Sequence, residues 1–232
     1  MRLLAFETST EACSVALWLD GQVCERFEIA PRRHTELALP WAEALLAEAG
    51  VARAQLDAIA VGRGPGAFTG VRLAIALAQG IALALDRPVL AVSTLAALAM
   101  QANTAGGRLA AIDARMGEVY LGAFVPDGEG LRAVGAEVVV RPEAAVLPDG
   151  TGWYALGTGF SAAEAALQTR FGGHLAGVDG SALPHAADVA RLGALAFARG
   201  EGVAPERVEP AYLRNDVALT LAQQQALRNF HH

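Results

Sequence analysis

The stretch Gly62-Arg63-Gly64-Pro65-Gly66-Ala67-Phe68-Thr69-Gly70 carries the densest chemical signal in the chain. Glycines between a strand and a helix let backbone N–H groups approach a phosphate, or let the helix start lie against another backbone. The pattern is neither GxGxxG nor a Walker loop, so spacing alone leaves both uses open. A second candidate is Glu7-Thr8-Ser9-Thr10, where three hydroxyls follow a carboxylate at a turn suited to a phosphate. A third is Asp113-Ala114-Arg115, a carboxylate and a guanidinium in one turn, which a local ion pair explains as well as catalysis does. All 18 basic residues are arginine, which excludes a Walker lysine, a Schiff-base lysine and the lysine of protein kinases. No HExxH, HxxxH or CxxC motif occurs among the five histidines and two cysteines, so no metal site is expected. No GxSxG elbow is present, and neither Ser9 nor Ser93 has a recognisable histidine partner.

The elements that must position these residues follow from apolar patterning. Residues 2–7 read as a buried strand, returning through Ser14 to Trp18, and a third strand from Gln22 to Ile29 completes a meander. A helix is expected over 35–49, a strand over 57–61, a long helix from Phe68 to Leu85 and a strand over 88–92. Ser93 or Thr94 then caps a helix running to about Ala102. Arg108-Leu109-Ala110-Ala111-Ile112-Asp113 echoes Arg2-Leu3-Leu4-Ala5-Phe6-Glu7 at an offset of 106 residues, and Asp-Gly follows in both copies, at 20–21 and 127–128. The echo predicts an α/β protein of two duplicated lobes, 1–105 and 106–232, each opening with a hairpin and enclosing a cleft. The second lobe continues with strands near 119–125, 136–140 and 153–157 and helices over 161–169 and 186–198. A last helix over 217–228 is expected to pack back across the lobes.

Composition narrows the class. With 232 residues, 53% apolar and 18% charged, the chain can bury a sizeable core and is not disordered. Its 51 alanines and 25 glycines favour close helix packing. A net charge of −6 argues against a self-sufficient nucleic-acid binder. Cys13 and Cys24 are expected to be reduced thiols. The acid at Glu7 interrupts any signal-peptide core, and the apolar run Leu73 to Leu85 is too short for a bilayer. A soluble cytoplasmic protein is the expectation.

Five segments resemble one family in the right order: Glu7-Thr8-Ser9-Thr10 with Ser14-Val15-Ala16-Leu17; His34-Thr35-Glu36; Gly64-Pro65-Gly66-Ala67-Phe68-Thr69-Gly70-Val71-Arg72; Asp113-Ala114-Arg115-Met116-Gly117-Glu118-Val119-Tyr120; and Pro210-Ala211-Tyr212-Leu213-Arg214. Together they resemble the TsaB family, subunits of the bacterial machinery that makes threonylcarbamoyladenosine in tRNA. The resemblance implies an actin/Hsp70/sugar-kinase-like fold. It implies a non-catalytic scaffold with no cofactor, partnered by the catalytic paralogue TsaD and, in the assembly, by the ATPase TsaE. It also implies a homodimer when the chain is alone, and tRNA met only through the complex. Where TsaD-like chains carry an HxxxH metal motif, this sequence aligns Thr94 and Leu98, and leucine cannot ligate a metal. Glu7 stands where aspartate is common. The carboxylate of Asp113 sits where a phosphate loop would lie and would repel a phosphate, leaving Glu7 to Thr10 as a vestigial one. The alternatives are an independent ATPase or small-molecule kinase using the cleft, and less favoured, a metallopeptidase.

A partner surface is expected on the two first-lobe helices. Leu37, Trp41 and Leu45 spread apolar area around the helix over 35–49. Gly70, Ala74 and Ala78 stand four residues apart on the next helix, a spacing that lets another helix approach closely.

Overall fold

The structure is a computed structural model that describes residues 1–214. The expected helix over 217–228 and the terminal histidine pair lie outside the described residues. Strands β1 (Arg2–Glu7), β2 (Ala12–Leu19), β3 (Gln22–Ile29), β4 (Ala58–Gly62) and β5 (Val89–Val92) form one sheet in the order β3-β2-β1-β4-β5. The second sheet holds β6 (Arg108–Arg115), β7 (Glu118–Asp127), β8 (Gly130–Ala133), β10 (Trp153–Leu156) and β11 (Leu175–Asp179), ordered β11-β10-β6-β7-β8, with β9 (Val138–Val140) also pairing β7. Read from the meander side, and leaving β9 aside, both sheets run third, second, first, fourth, fifth strand. In each, an antiparallel hairpin is extended by two parallel strands. The sequence echo is therefore a duplicated α/β lobe, as expected. Strands β8 and β11 escaped the sequence reading because both are short and only half apolar.

Strand β1 is apolar at every position from Leu3 to Phe6 because both of its faces are covered. Leu4 and Phe6 face helices α1 (His34–Glu48) and α2 (Phe68–Leu85), while Leu3 and Ala5 face α5 (Ala186–Ala198). Strand β6 repeats the device. Leu109 and Ala111 pack with α4 (Ala162–Phe171), and Ala110 and Ile112 pack with α3 (Thr94–Met100).

The lobes exchange helices, which corrects the division at residue 105. Helix α3, early in the chain, buries Leu95, Leu98 and Ala99 against the second sheet. Helix α5, expected in the second lobe, instead buries Ala186, Val189 and Ala190 against the first sheet. Gly193 permits this approach, since a Cβ there would stand 2.9 Å from the Ala60 Cβ. A carboxylate holds the start of α5 in place. Glu25 of β3 accepts hydrogen bonds from the Ser14 hydroxyl (2.6 Å), the Ala187 amide (2.9 Å) and His185 Nδ1 (2.9 Å), and Ser14 Oγ accepts from the Ala186 amide (2.8 Å). The His185 ring stacks on Phe27 with centroids 4.1 Å apart. Burial pushes the Glu25 carboxyl up, but these hydrogen bonds outweigh it and leave the group below its ordinary value. The same hydrogen bond raises His185, against the opposing effect of burial.

Candidate functional site

The glycine-rich segment closes over the first hairpin turn. Ser9 O accepts from the Ala67 amide at 2.7 Å, and the Thr8 hydroxyl donates to the Gly70 carbonyl at 2.7 Å. Glycine is required by contact here. A Cβ at Gly70 would enter the van der Waals shell of the Thr8 carbonyl oxygen, and one at Gly62 would strike the Glu7 carboxylate. The loop serves the approach of one backbone to another, which is the structural use that spacing had left open.

Glu7, Thr8, Ser9 and Thr10 are consequently all buried. Glu7 Oε1 accepts from the Ser9 amide at 2.7 Å, and Glu7 Oε2 accepts from the Thr94 hydroxyl at 2.9 Å. Thr94 Oγ1 in turn accepts from the Gly64 amide at 3.2 Å, and the Thr94 amide donates to the Gly64 carbonyl at 3.0 Å. Thr10 Oγ1 accepts from the Ala12 amide. The Ser9 hydroxyl is buried without a hydrogen-bond partner among the described residues. Burial raises the Glu7 carboxyl above its ordinary range, and the hydrogen bonds only partly offset that. The turn's polar groups are thus turned onto the protein itself rather than toward an open site. His34 adds a clasp from outside, its Nε2 lying 3.0 and 3.1 Å from the Thr10 and Ala12 carbonyl oxygens. Two acceptors at one nitrogen place the proton on Nε2.

Thr94 and Leu98 are fully buried, Thr94 in this network and Leu98 in the core under the second sheet. Among the described residues no group of three or more His, Cys, Asp or Glu side chains could hold a metal ion.

At the second hairpin turn Asp113 forms the local ion pair with Arg115 (2.9 Å) and also accepts from the Arg115 amide at 2.8 Å. Positive φ at Arg115, Met116 and Gly117 shapes the turn. The two turns are tied by the last described segment. The Ala211 amide donates to the Arg63 carbonyl at 2.8 Å, and Arg72 hydrogen-bonds the Tyr212 hydroxyl. Arg214 reaches the Ala114 carbonyl (3.1 Å) and the Glu118 carboxylate. The motif residues Gly64, Pro65, Gly66, Phe68, Thr69, Gly70, Arg72, Asp113 and Arg115 thus line one region around both turns, although they are scattered in sequence. Arg72 stacks on the exposed Phe68 ring at 3.2 Å and lies 5.1 Å from that of Tyr212. The role of Tyr212 and Arg214 had no signal in the sequence beyond their place in a family motif.

The expected partner residues need correction. Ala74 and Ala78 are fully buried, and Leu45 is nearly so, all in the core between the helices and the first sheet. The four-residue spacing of small side chains seats α2 on its own strands. Gly70 meets the Thr8 backbone, and Leu37 and Trp41 are half-buried against the same core. The outward face of α2 is apolar as well. Only Val71, Ala74, Ile75, Ala78 and Ala82 of its 18 residues are buried, while its mean hydropathy is 1.7. By length and composition this helix could cross a membrane, but its inner face is built into the sheet. Leu83 is 60% exposed and Leu39 of α1 is 44% exposed. Between α1 and α2 runs a groove of about 340 Å³ whose lining includes Leu39, Ala42, Leu46, Gly80, Ile81 and Ala84 and a Glu43–Arg53 ion pair of 2.6 Å.

Comparison with known proteins agrees with the duplicated architecture. The family model for TsaD, described as tRNA N6-adenosine threonylcarbamoyltransferase, matches residues 27–222. The tRNA threonylcarbamoyladenosine biosynthesis protein TsaB of Escherichia coli is 44% identical over 230 residues, covering 94% of this chain and 96% of that protein. The Haemophilus influenzae TsaB is 39% identical over 229 residues, covering 94% and 95%. A Pseudomonas aeruginosa crystal structure, described as similar to the peptidase YeaZ, superposes with a TM-score of 0.86 at 48% identity, covering 92% of this chain and 99% of that one. With the two lobes, the ordered motifs and near full-length identity in agreement, the chain belongs to the TsaB family of tRNA threonylcarbamoyladenosine biosynthesis proteins.

Proposed function

We propose that this chain is a cytoplasmic, non-catalytic scaffold for threonylcarbamoyl modification of the adenosine beside the tRNA anticodon, and that its partner is a TsaD-like paralogue. The observation that carries this reading is the contrast between its two surfaces. The turn where a phosphate would sit is filled by the chain's own backbone, while α1 and α2 present an apolar face that is uncovered among the described residues. The chemistry is then left to the paralogue, and this chain contributes surface. Leu39, Leu73, Leu77 and Leu83 replace the buried alanines as the contact residues, with Leu37 and Trp41 supporting them from beneath. In the absence of the paralogue the same face pairs two copies of this chain about a twofold axis. A TsaE-like ATPase joins only the assembled pair, and tRNA is met through the complex.

Co-purification tests the reading. The parent chain should retain a TsaD-like paralogue on a column. Leu83→Arg should lose it, because a guanidinium would be desolvated without a partner in the seam. Leu83 lies mostly in solvent in the monomer, so the variant monomer should stay folded with the parent's far-UV spectrum and lose only the stability that pairing of two copies adds. Retention of the paralogue by a folded Leu83→Arg would refute the surface. Sub-micromolar binding of ATP to the isolated chain, measured by calorimetry, would refute the non-catalytic reading and favour an ATPase.

A further inference from the structure

The segment that follows α5 runs over the first lobe and ends on the second. Val203 pairs with Val89 through two backbone hydrogen bonds of 2.9 and 3.0 Å, extending the first sheet at its β5 edge. Gln79 of α2 donates to the Pro205 carbonyl at 2.9 Å, and Val208 is buried in the first-lobe core. Beyond Val208 the character of the contacts changes. Ala211 makes one backbone hydrogen bond to Arg63, Tyr212 is 56% exposed beside Arg72, and Arg214 reaches across to Glu118 and the Ala114 carbonyl on the second hairpin turn. Three residues span at most about 11 Å, so Ala211 to Arg214 holds the glycine segment and that turn at a short fixed separation.

We propose that residues 203–214 are a latch that fixes the angle between the two lobes, with Arg214 as its releasable pin. The near end is anchored by sheet pairing and a buried valine. The far end has no buried apolar side chain and no regular secondary structure, which are the properties of a segment that opens locally well before global unfolding. Among the described residues the lobes are also joined by the exchanged helices α3 and α5, which pack on one another, by α5 against β8, and by a hydrogen bond from Ser93 to Glu137. These provide a hinge that survives when the latch lifts. Release frees the 113–118 turn from the glycine segment and lets the lobes part. The latch stands independently of the scaffold reading, because it is measured on the isolated chain.

Hydrogen–deuterium exchange with mass spectrometry tests it on the full chain. Arg214→Gln removes the charge and ends two atoms short of the guanidinium nitrogens that make both contacts. Peptides covering 113–118 and 210–214 should exchange about tenfold faster, the effect of losing one charge-assisted hydrogen bond. Peptides from β1, α2 and α5 should keep the parent rate. The reversed pair Glu118→Arg with Arg214→Glu should restore protection that either single reversal loses. Tyr212→Phe, which deletes one hydroxyl and is safe for folding, should accelerate 210–214. Unchanged exchange at 113–118 in Arg214→Gln would overturn the latch. So would acceleration spread evenly over the whole chain, which would make Arg214 an ordinary contributor to global stability.

Discussion

Replacing Thr94 by valine removes one hydroxyl from a site with no access to water while preserving the shape of the side chain. In the folded protein that hydroxyl donates to Glu7 Oε2 at 2.9 Å and accepts from the Gly64 amide at 3.2 Å. Valine leaves a buried N–H and a buried carboxyl oxygen unpaired, each costing about 1–3 kcal/mol, so a loss of about 2–6 kcal/mol is expected. Thr94→Ser keeps both hydrogen bonds and loses one methyl group, which should cost about 1 kcal/mol. The order of the two variants separates hydrogen bonding from packing. Urea unfolding at several pH values is the assay. Burial raises the folded Glu7 carboxyl above its unfolded value, so its contribution is fully present below that value and is lost as pH rises through the folded one. The Thr94 hydroxyl favours the ionised form. Its removal raises Glu7 further, and the gap between parent and Thr94→Val should widen as pH rises through the parent's folded value. A valine variant within 0.5 kcal/mol of the parent (about the spread of neutral substitutions), or a gap that narrows with pH, would refute the reasoning.

Two glycines of α2 should respond in opposite directions to the same change. Gly70→Ala drives a methyl group into the Thr8 carbonyl and should cost several kcal/mol or abolish folding, whereas Gly80→Ala enters open space and should stabilise by about 0.5–1 kcal/mol, both read as shifts in Tm. The Glu25–His185 clasp sets a pH window. Depressed Glu25 loses its contribution as pH falls through its folded value, and raised His185 loses its own as pH rises through its folded value, so both are intact between about 4.5 and 6.5. Glu25→Gln should lower stability across that window and flatten the falls on either side of it in denaturation experiments; an unchanged profile would show that the clasp does not hold α5. Cys13 is buried with its thiol pushed up to about 11, while Cys24 is exposed, so a thiol reagent at pH 8 should label one site in the native protein and two in denaturant.

Periodicity and repetition carried most of the architecture. Strands β1 and β6 are legible because a strand buried on both faces must be apolar throughout, and their shared Arg-Leu opening exposed the duplication. The glycine-rich segment was legible as a place of close approach, since only glycine tolerates a carbonyl where Cβ would be. What approaches it was not. Gly70 meets Thr8 at a separation of 62 residues, and Thr94 locks Glu7 at a separation of 87. Local pattern cannot report such pairings, because they depend on how the strands assemble. The faces of α2 show the same limit. A small-residue row and a leucine row both read as packing surfaces, and only the sheet beneath Ala74 and Ala78 decides which one turns inward. The exchange of α3 and α5 between lobes lay further out of reach, since α3 is apolar nearly throughout and the apolar face of α5 would suit either sheet. Local pattern was enough to establish two alike lobes and the places where backbones crowd. Tertiary structure decided which sheet each helix covers, which hydroxyls are sealed inside and where Arg214 ends, because those outcomes depend on three-dimensional proximity that no local spacing encodes.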